Sequence, residues 1–181
     1  MPTIPSSVVL VPYDPSWPET FAALRAVYLH ALGEAALAVE HVGSTAVPGL
    51  SAKPIIDVDI VIAPHLGLSR IAQPLARLGY RHAGCQGIPG RDAFKRDESD
   101  VPRDGSGRSW PAHHLYACAH DANELRRHLA FRDWLRTRPE HAADYAALKQ
   151  RLAALHPHDR ERYCEAKTDF IEAAILHSAG G

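Results

Sequence analysis

Two aspartates interrupt an apolar run. Residues 54–63 read Pro-Ile-Ile-Asp-Val-Asp-Ile-Val-Ile-Ala, and Asp57 and Asp59 carry the only charges in that stretch. Along a strand, alternate side chains face the same way, so both carboxylates point to one side, about 6–7 Å apart. Ile56, Val58 and Ile60 then point to the other side, into a core. Two acids held together repel, and partial burial makes that worse. A divalent cation between them relieves the cost. Mg²⁺ or Mn²⁺ suits hard carboxylate oxygens, and Mg²⁺ usually completes its shell with water and substrate phosphates. The same pattern also fits a half-solvated strand with a polar outer face.

A second group of residues lies just upstream. Gly43-Ser44-Thr45 closes the apolar run before it, and Lys53 stands at the mouth of the aspartate strand. A turn there can offer backbone N–H groups and hydroxyls to phosphate oxygens. Lys53 can meet a phosphate as a point charge, or stay solvated. Further on, His114 and Tyr116 share one face of "PAHHLYACAH", and His114 has the chemistry of a base or a neutral metal ligand. It equally fits a hydrogen-bonded core histidine. Tyr163 and Lys167 are four apart, on one helical face, where the lysine can reach a phosphate and the tyrosine can stack on a base. Their ordinary alternative is a lysine stem lying along an apolar stripe. A zinc site from His114, Cys118 and His120 has no recognised ligand spacing.

These groups need a scaffold. "SVVLVPY" is expected to be a strand. Asp14-Pro15 is expected to start a helix, with Trp17, Phe21, Leu24 and Tyr28 as its inner stripe and Gly33 as its stop. "ALAVEHVG" and "PIIDVDIVIA" are strands, and residues 68–79 form a helix containing Pro74. "GYRHAG", "RDAFKR" and "AHHLYACAH" supply further strands. Residues 84–108 are rich in Gly, Asp and Arg, the composition of a lid or a solvated loop. Arg91, Arg96, Arg103 and Arg108 lie in it. The rest is helical: 123–137, 139–155 and 159–177. The expectation is one α/β (α+β) domain over 1–181, a mixed sheet with a C-terminal helical layer over about 121–179.

Composition narrows the function. The chain has 181 residues, with 20 Lys plus Arg against 21 Asp plus Glu, a net charge of −1. That balance argues against general nucleic-acid binding, which needs a basic surplus. Cys85, Cys118 and Cys164 are odd in number and widely spaced, so neither a disulfide framework nor a CxxC zinc ribbon is indicated. No apolar run approaches the roughly 18 residues of a membrane span. The expected compartment is the cytoplasm.

A Gly-Ser turn followed by a strand bearing Asp-x-Asp resembles the nucleotidyltransferase superfamily of the DNA polymerase beta type. Within it, "VPYDPSWPETF", "EHVGSTAVPGLSAKPIIDVDIVI", "HHLYAC", "RRHLAFRDWLRTRPEHAADYAALK" and "YCEAKTDFI" look like the GrpB family. The resemblance covers nearly the whole chain. It implies a nucleotidyltransferase-like core in which Gly43, Ser44 and Thr45 bind the triphosphate of an NTP. Asp57 and Asp59, with His114, would hold Mg²⁺ or Mn²⁺ and carry the catalysis, and Lys53, Tyr163 and Lys167 would complete the nucleotide site. The superfamily's third carboxylate, on a neighbouring strand, has no counterpart in "PAHHLYACAH". Two functions follow: nucleotidyl transfer to an unknown acceptor, or a noncatalytic nucleotide- or metabolite-binding module. A partner protein is a third theme, because domains of this family can be fused to dephospho-coenzyme A kinase.

Overall fold

A computed structural model describes residues 7–63 and 66–179. Helix α1 spans Trp17–Leu32, strand β1 Ala36–Val42 and strand β2 Ile56–Ile62. Helix α2 (Ser69–Arg77) leads to β3 (Arg81–His82), β4 (Arg91–Lys95) and β5 (His113–Ala119). Four helices close the chain: α3 (Asn123–Thr137), α4 (Pro139–Leu155), α5 (Arg160–Glu165) and α6 (Thr168–Ala179). The strand order is β1-β2-β5-β4-β3. Only β2 and β5 run parallel. The other pairs are antiparallel, so the sheet is mixed and the fold is of the α/β class.

Period-two alternation divides the sheet. Ile56, Val58, Ile60, Leu115 and Ala117 face a core that also holds Trp17, Leu24 and Tyr28 of α1 and Ile71 and Leu75 of α2. The central strands carry Asp57, Asp59, His114 and Tyr116 on the opposite face, with α3 against it. His113 points into the apolar side, where it needs hydrogen bonds. Its Nδ1–H donates to the Pro111 carbonyl at 2.9 Å, so Nε2 accepts from the Tyr80 hydroxyl. Tyr28 meets Tyr80 at 2.7 Å, extending the chain of buried bonds. Burial, then the Arg96 charge, pushes the His113 pKa down to about 4, so it sits neutral in the core.

Three expected elements differ. "SVVLVPY" makes one bridge, Val11 to Ala52, and no strand. On one side Pro54 has no N–H to extend the ladder, and on the other the Leu50 N–H goes to the Val47 carbonyl. Helix α1 opens at Trp17; Asp14 caps the turn before it, its Oδ1 accepting from the Ser16 N–H at 2.8 Å. The helix expected over 159–177 is two helices. Asp159 does cap the first, accepting from the Arg162 N–H at 3.0 Å. The chain then tightens, with Lys167 N–H reaching the Cys164 carbonyl at 3.3 Å, before α6 begins.

The segment 84–108 is anchored. Arg96 donates to the carbonyls of Val101 and Trp110, and Trp110 Nε1–H donates to Pro102. Arg103 pairs with Glu98 and Asp100, and Arg108 covers the Trp110 ring. Arg91 lies on the Tyr116 ring, 4.4 Å from its centroid. Among the described residues, no helix is long and apolar enough to cross a membrane.

Leu115 is 1% exposed at the centre of the sheet. Leu115→Ala is expected to lower unfolding free energy by about 2–5 kcal/mol, read as a lower urea midpoint with an unchanged slope.

Candidate functional site

The polar face of the sheet is a ladder of paired groups. Register places His114 beside Asp57 and Tyr116 beside Asp59. On the other side, Glu40 stands opposite Asp59. Helix α3 crosses this face with Glu124, His128, Arg132 and Arg136 at intervals of four, one polar stripe. His128 Nδ1 meets Asp59 Oδ2 at 2.6 Å, and its Nε2 meets Glu124 Oε1 at 3.2 Å. Arg132 donates to Glu40 at 2.7 Å. Arg136 donates to the Ala46 carbonyl at 2.8 Å, gripping the Gly-Ser turn.

Each aspartate therefore has its own imidazole. Asp59 is 0% exposed, and the charge compensation expected from a metal is provided here by His128. Burial pushes the His128 pKa down, but its hydrogen bonds to Asp59 and Glu124 outweigh this and raise it to about 9. Asp57 is 32% exposed and lines the cleft. Its Oδ1 accepts from His114 Nδ1–H at 2.8 Å. Burial pushes Asp57 up, yet the His114 hydrogen bond and the His114, Lys53 and His128 charges hold it below the usual carboxylate range. With Nδ1 committed to Asp57, Nε2 is the His114 nitrogen left for another partner.

The Gly-Ser turn is built by close packing. Gly43 has φ +72°, and a Cβ there would lie 2.5 Å from Asp57 Oδ2. Glycine is what lets the turn approach the carboxylate. Residues 44–46 form a single 3₁₀ turn. Thr45 is buried, its hydroxyl donating to the Ile55 carbonyl at 3.3 Å and accepting from His41 Nε2–H at 3.0 Å. Ser44 faces the cleft, 3.0 Å from Lys149 Nζ.

The cleft has a volume of about 330 Å³. Gly43, Ser44, Thr45, Lys53, Asp57, His114, Tyr163 and Lys167 all line it, as does Tyr116. Of the expected site residues, Asp59 alone is missing from the wall; His128 and α3 cover it. Lining residues not expected as site residues are Glu124, Arg127, His128, Tyr145, Lys149 and Arg160. Glu124 brings a carboxylate from a helix to a site whose neighbouring strand has none. The four-residue spacing on α3 was the signal available in the sequence for Glu124 and His128. Lys149 had none, since its 2% exposure goes with contacts to Ser44 and Ser51, far away in the chain.

Electrostatics divides the cleft in two. One side holds Asp57, His114, Glu124 and His128. On the other, Lys53, Lys149 and Lys167 converge, with Lys167 at 4.4 Å and Lys53 at 5.9 Å from the Tyr163 ring centroid. Burial lowers all three lysine pKa values, helped by the Arg160 charge at Lys53 and by neighbouring lysines at Lys149 and Lys167, and Lys149 falls from its ordinary 10.5 to about 7. One buried and two half-buried lysines, with no carboxylate paired to them among the described residues, favour an anionic ligand.

Of the two aspartates, Asp57 alone offers a carboxylate oxygen to the cleft, the kind of donor a hard divalent cation takes. Asp57 Oδ2 accepts no hydrogen bond among the described residues, and Asp59 Oδ1 is buried with no partner. Among the described residues, no three His, Cys, Asp or Glu side chains gather as a ligand set. One or two carboxylates completed by water and phosphate are the arrangement Mg²⁺ commonly takes. The zinc reading is not supported: Cys118 is fully buried beside Val61 and Leu125, and burial pushes its thiol up.

A mixed α/β sheet bearing a Gly-Ser turn, buried acids and a lysine-lined cleft defines the class. The chain belongs to the GrpB protein family, which matches residues 7–176. It is 40% identical over 172 residues to the UPF0157 protein PA4798 of Pseudomonas aeruginosa, covering 95% of this chain and 67% of that one. A dephospho-CoA kinase of Mycolicibacterium paratuberculosis is 30% identical over 92% of this chain, which spans 45% of that protein. The crystal structure of the conserved protein GrpB from Enterococcus faecalis superposes with a TM-score of 0.78 at 33% identity, covering 94% of this chain and 96% of that one. The Cid1 poly(U) polymerase aligns at TM-score 0.48 and 16% identity over 78% of this chain and 45% of that one, too distantly to carry an argument.

His128→Ala would leave Asp59 buried without its counter-charge. The expected loss is about 3 kcal/mol of stability, measured by chemical denaturation; an unchanged midpoint would show that Asp59 does not depend on this imidazole.

Proposed function

We propose that this protein is a metal-dependent nucleotidyltransferase-like protein whose cleft binds a nucleoside triphosphate. One observation carries the reading: the Gly-Ser turn, three lysines with no carboxylate partner among the described residues and the Asp57–His114 pair line a single cleft. In this reading Gly43, Ser44 and Thr45 face the triphosphate, with Lys53 and Lys167 as its point charges. Tyr163 lies under those lysines, holding them rather than stacking on a base. Asp57 would hold Mg²⁺ or Mn²⁺ from the cleft wall, with Asp59 joining it only where His128 gives way; when bound, the ion neutralises phosphate charge and aligns the leaving group.

His114 is the proposed general base. Asp57 fixes its Nδ1–H tautomer, and Nε2 is positioned to take a proton from an acceptor hydroxyl. That assignment fills the role of the superfamily's third carboxylate, which β5 lacks. The absence of a carboxylate on β5 also favours a second reading, a noncatalytic nucleotide- or metabolite-binding module with the same cleft. Release of pyrophosphate from an NTP by the purified chain separates the two. The likeness to dephospho-CoA kinases supports a further theme, a domain that works beside a partner enzyme.

Asp57→Asn is expected to weaken Mg²⁺-dependent ATP binding about 100-fold, measured by titration calorimetry. Equal affinity in the variant would remove Asp57 from the site.

Lys149 makes a pH prediction. Its folded pKa lies below its unfolded value, so between about 7 and 10.5 the unfolded chain holds more protons. This group's contribution to stability therefore rises with pH across that window. Anion affinity moves oppositely, because the ammonium is present only below about 7. Sulfate, which does not titrate in this range, is expected to bind more weakly as pH passes from 6 to 8.5. Lys149→Met should flatten that dependence.

A further inference from the structure

Ser44 and Lys149 are arranged in a way that anion binding alone does not require. Lys149 Nζ lies 3.0 Å from Ser44 Oγ and also bonds the Ser51 carbonyl. Among the described residues no carboxylate pairs with it, and it is 2% exposed. As a neutral amine it has two N–H donors and one lone pair. A donor goes to the Ser51 carbonyl, and the lone pair is left for the Ser44 hydroxyl proton. A nucleophile within hydrogen-bond reach of a base, with a third group orienting that base, is the geometry of an activated nucleophile. Serine–lysine pairs perform this chemistry on unrelated folds.

The cleft indicates the electrophile. Lys53 and Lys167 line it beside Ser44, so the reacting centre belongs to an anion. This step rests on the reading of the cleft as a triphosphate site. We propose that Ser44 is a catalytic nucleophile, deprotonated by Lys149, that accepts the nucleotidyl group of an NTP on its own oxygen. The Ser44 Oγ–Pα bond forms as the bond from Pα to the oxygen bridging to Pβ breaks. Pyrophosphate leaves with that electron pair, and the serine proton passes to Lys149 Nζ. An acceptor hydroxyl or water then attacks Pα: its O–Pα bond forms as the Ser44 Oγ–Pα bond breaks, Lys149 returns its proton to Ser44 Oγ, and the acceptor's proton passes to His114 or to solvent.

Two observations support the dyad. Burial, with the Lys167 and Lys53 charges, brings the Lys149 pKa down to about 7, so a large share of the side chain is unprotonated at neutral pH. The Lys149 amine is also oriented by a third group, the Ser51 carbonyl, while Ser44 lines the cleft.

The test incubates the full chain with each α-³²P-labelled NTP and Mg²⁺ or Mn²⁺, denatures it, and reads retained label and intact mass. Binding of the same NTP is measured in parallel by calorimetry. The expected result is a mass gain of one nucleotidyl group on the peptide holding Ser44, absent in Ser44→Ala. Lys149→Arg keeps the charge but not the base, and should slow labelling about 100-fold. Labelling should also speed up as pH passes 7, whereas a lysine that merely binds phosphate gives the opposite trend. Unchanged labelling in either variant, gain of a phosphoryl group instead, or bound NTP without an adduct overturns the nucleophile and leaves the triphosphate reading standing. No NTP binding by the parent chain overturns both.

Discussion

A carboxylate with no access to water has to be compensated inside the fold, and Asp59 is such a carboxylate. Leaving it unpaired would cost several kcal/mol. His128 reaches it from α3, and Glu124 holds the other side of the same imidazole. That contact fixes where α3 crosses the sheet. Once α3 is placed, Arg132 meets Glu40 and Arg136 meets the Ala46 carbonyl, which holds the Gly-Ser turn against the strand ends. The cleft lies between that turn and the helices that follow α3.

The two aspartates, though alike in sequence, have different surroundings. Asp57 opens onto the cleft and orients His114; Asp59 is sealed behind His128. Register explains the difference. Asp57 is two residues nearer the end of β2 where the Gly-Ser turn arrives, and Gly43 lies against it with no Cβ between. Asp59 sits deeper, where α3 covers the sheet. A site built this way separates an acidic and histidine-rich wall from a lysine wall. A ligand that is anionic at one end and offers a hydroxyl at the other would match both.

Lys149 has a second, independent logic. It lies on α4, but its partners are in the turn at Ser44 and the segment at Ser51. The lysine thus ties the helical layer to the β-rich half at the point where chemistry is expected. With no acid beside it and two lysines nearby, it is poised between charged and neutral near pH 7. Protonated it strengthens anion binding; unprotonated it can take a proton from Ser44. A single buried amine can therefore set both the affinity and the reactivity of the cleft.

Much of this was legible in the chain. An apolar run marked β1, period-two alternation marked β2 and β5, and helical stripes marked α1 and α4. Gly43, Ser44, Asp57 and His114 stood out because residues of those types are expensive or purposeful where they occur. The N-terminal run misled, because local β-propensity cannot see that the partner segment carries Pro54 and turns its Leu50 N–H elsewhere. The break after Glu165 involves neither glycine nor proline, so no local signal marked it. What the sequence determined by itself was the set of elements and the oddity of acids in an apolar strand, since both follow from short-range periodicity. Tertiary structure alone decided that two histidines compensate those acids, that Lys149 reaches Ser44, and that Asp59 is hidden. Those outcomes depend on contacts between residues up to 105 positions apart, and pair distances across a fold are not encoded in any local pattern.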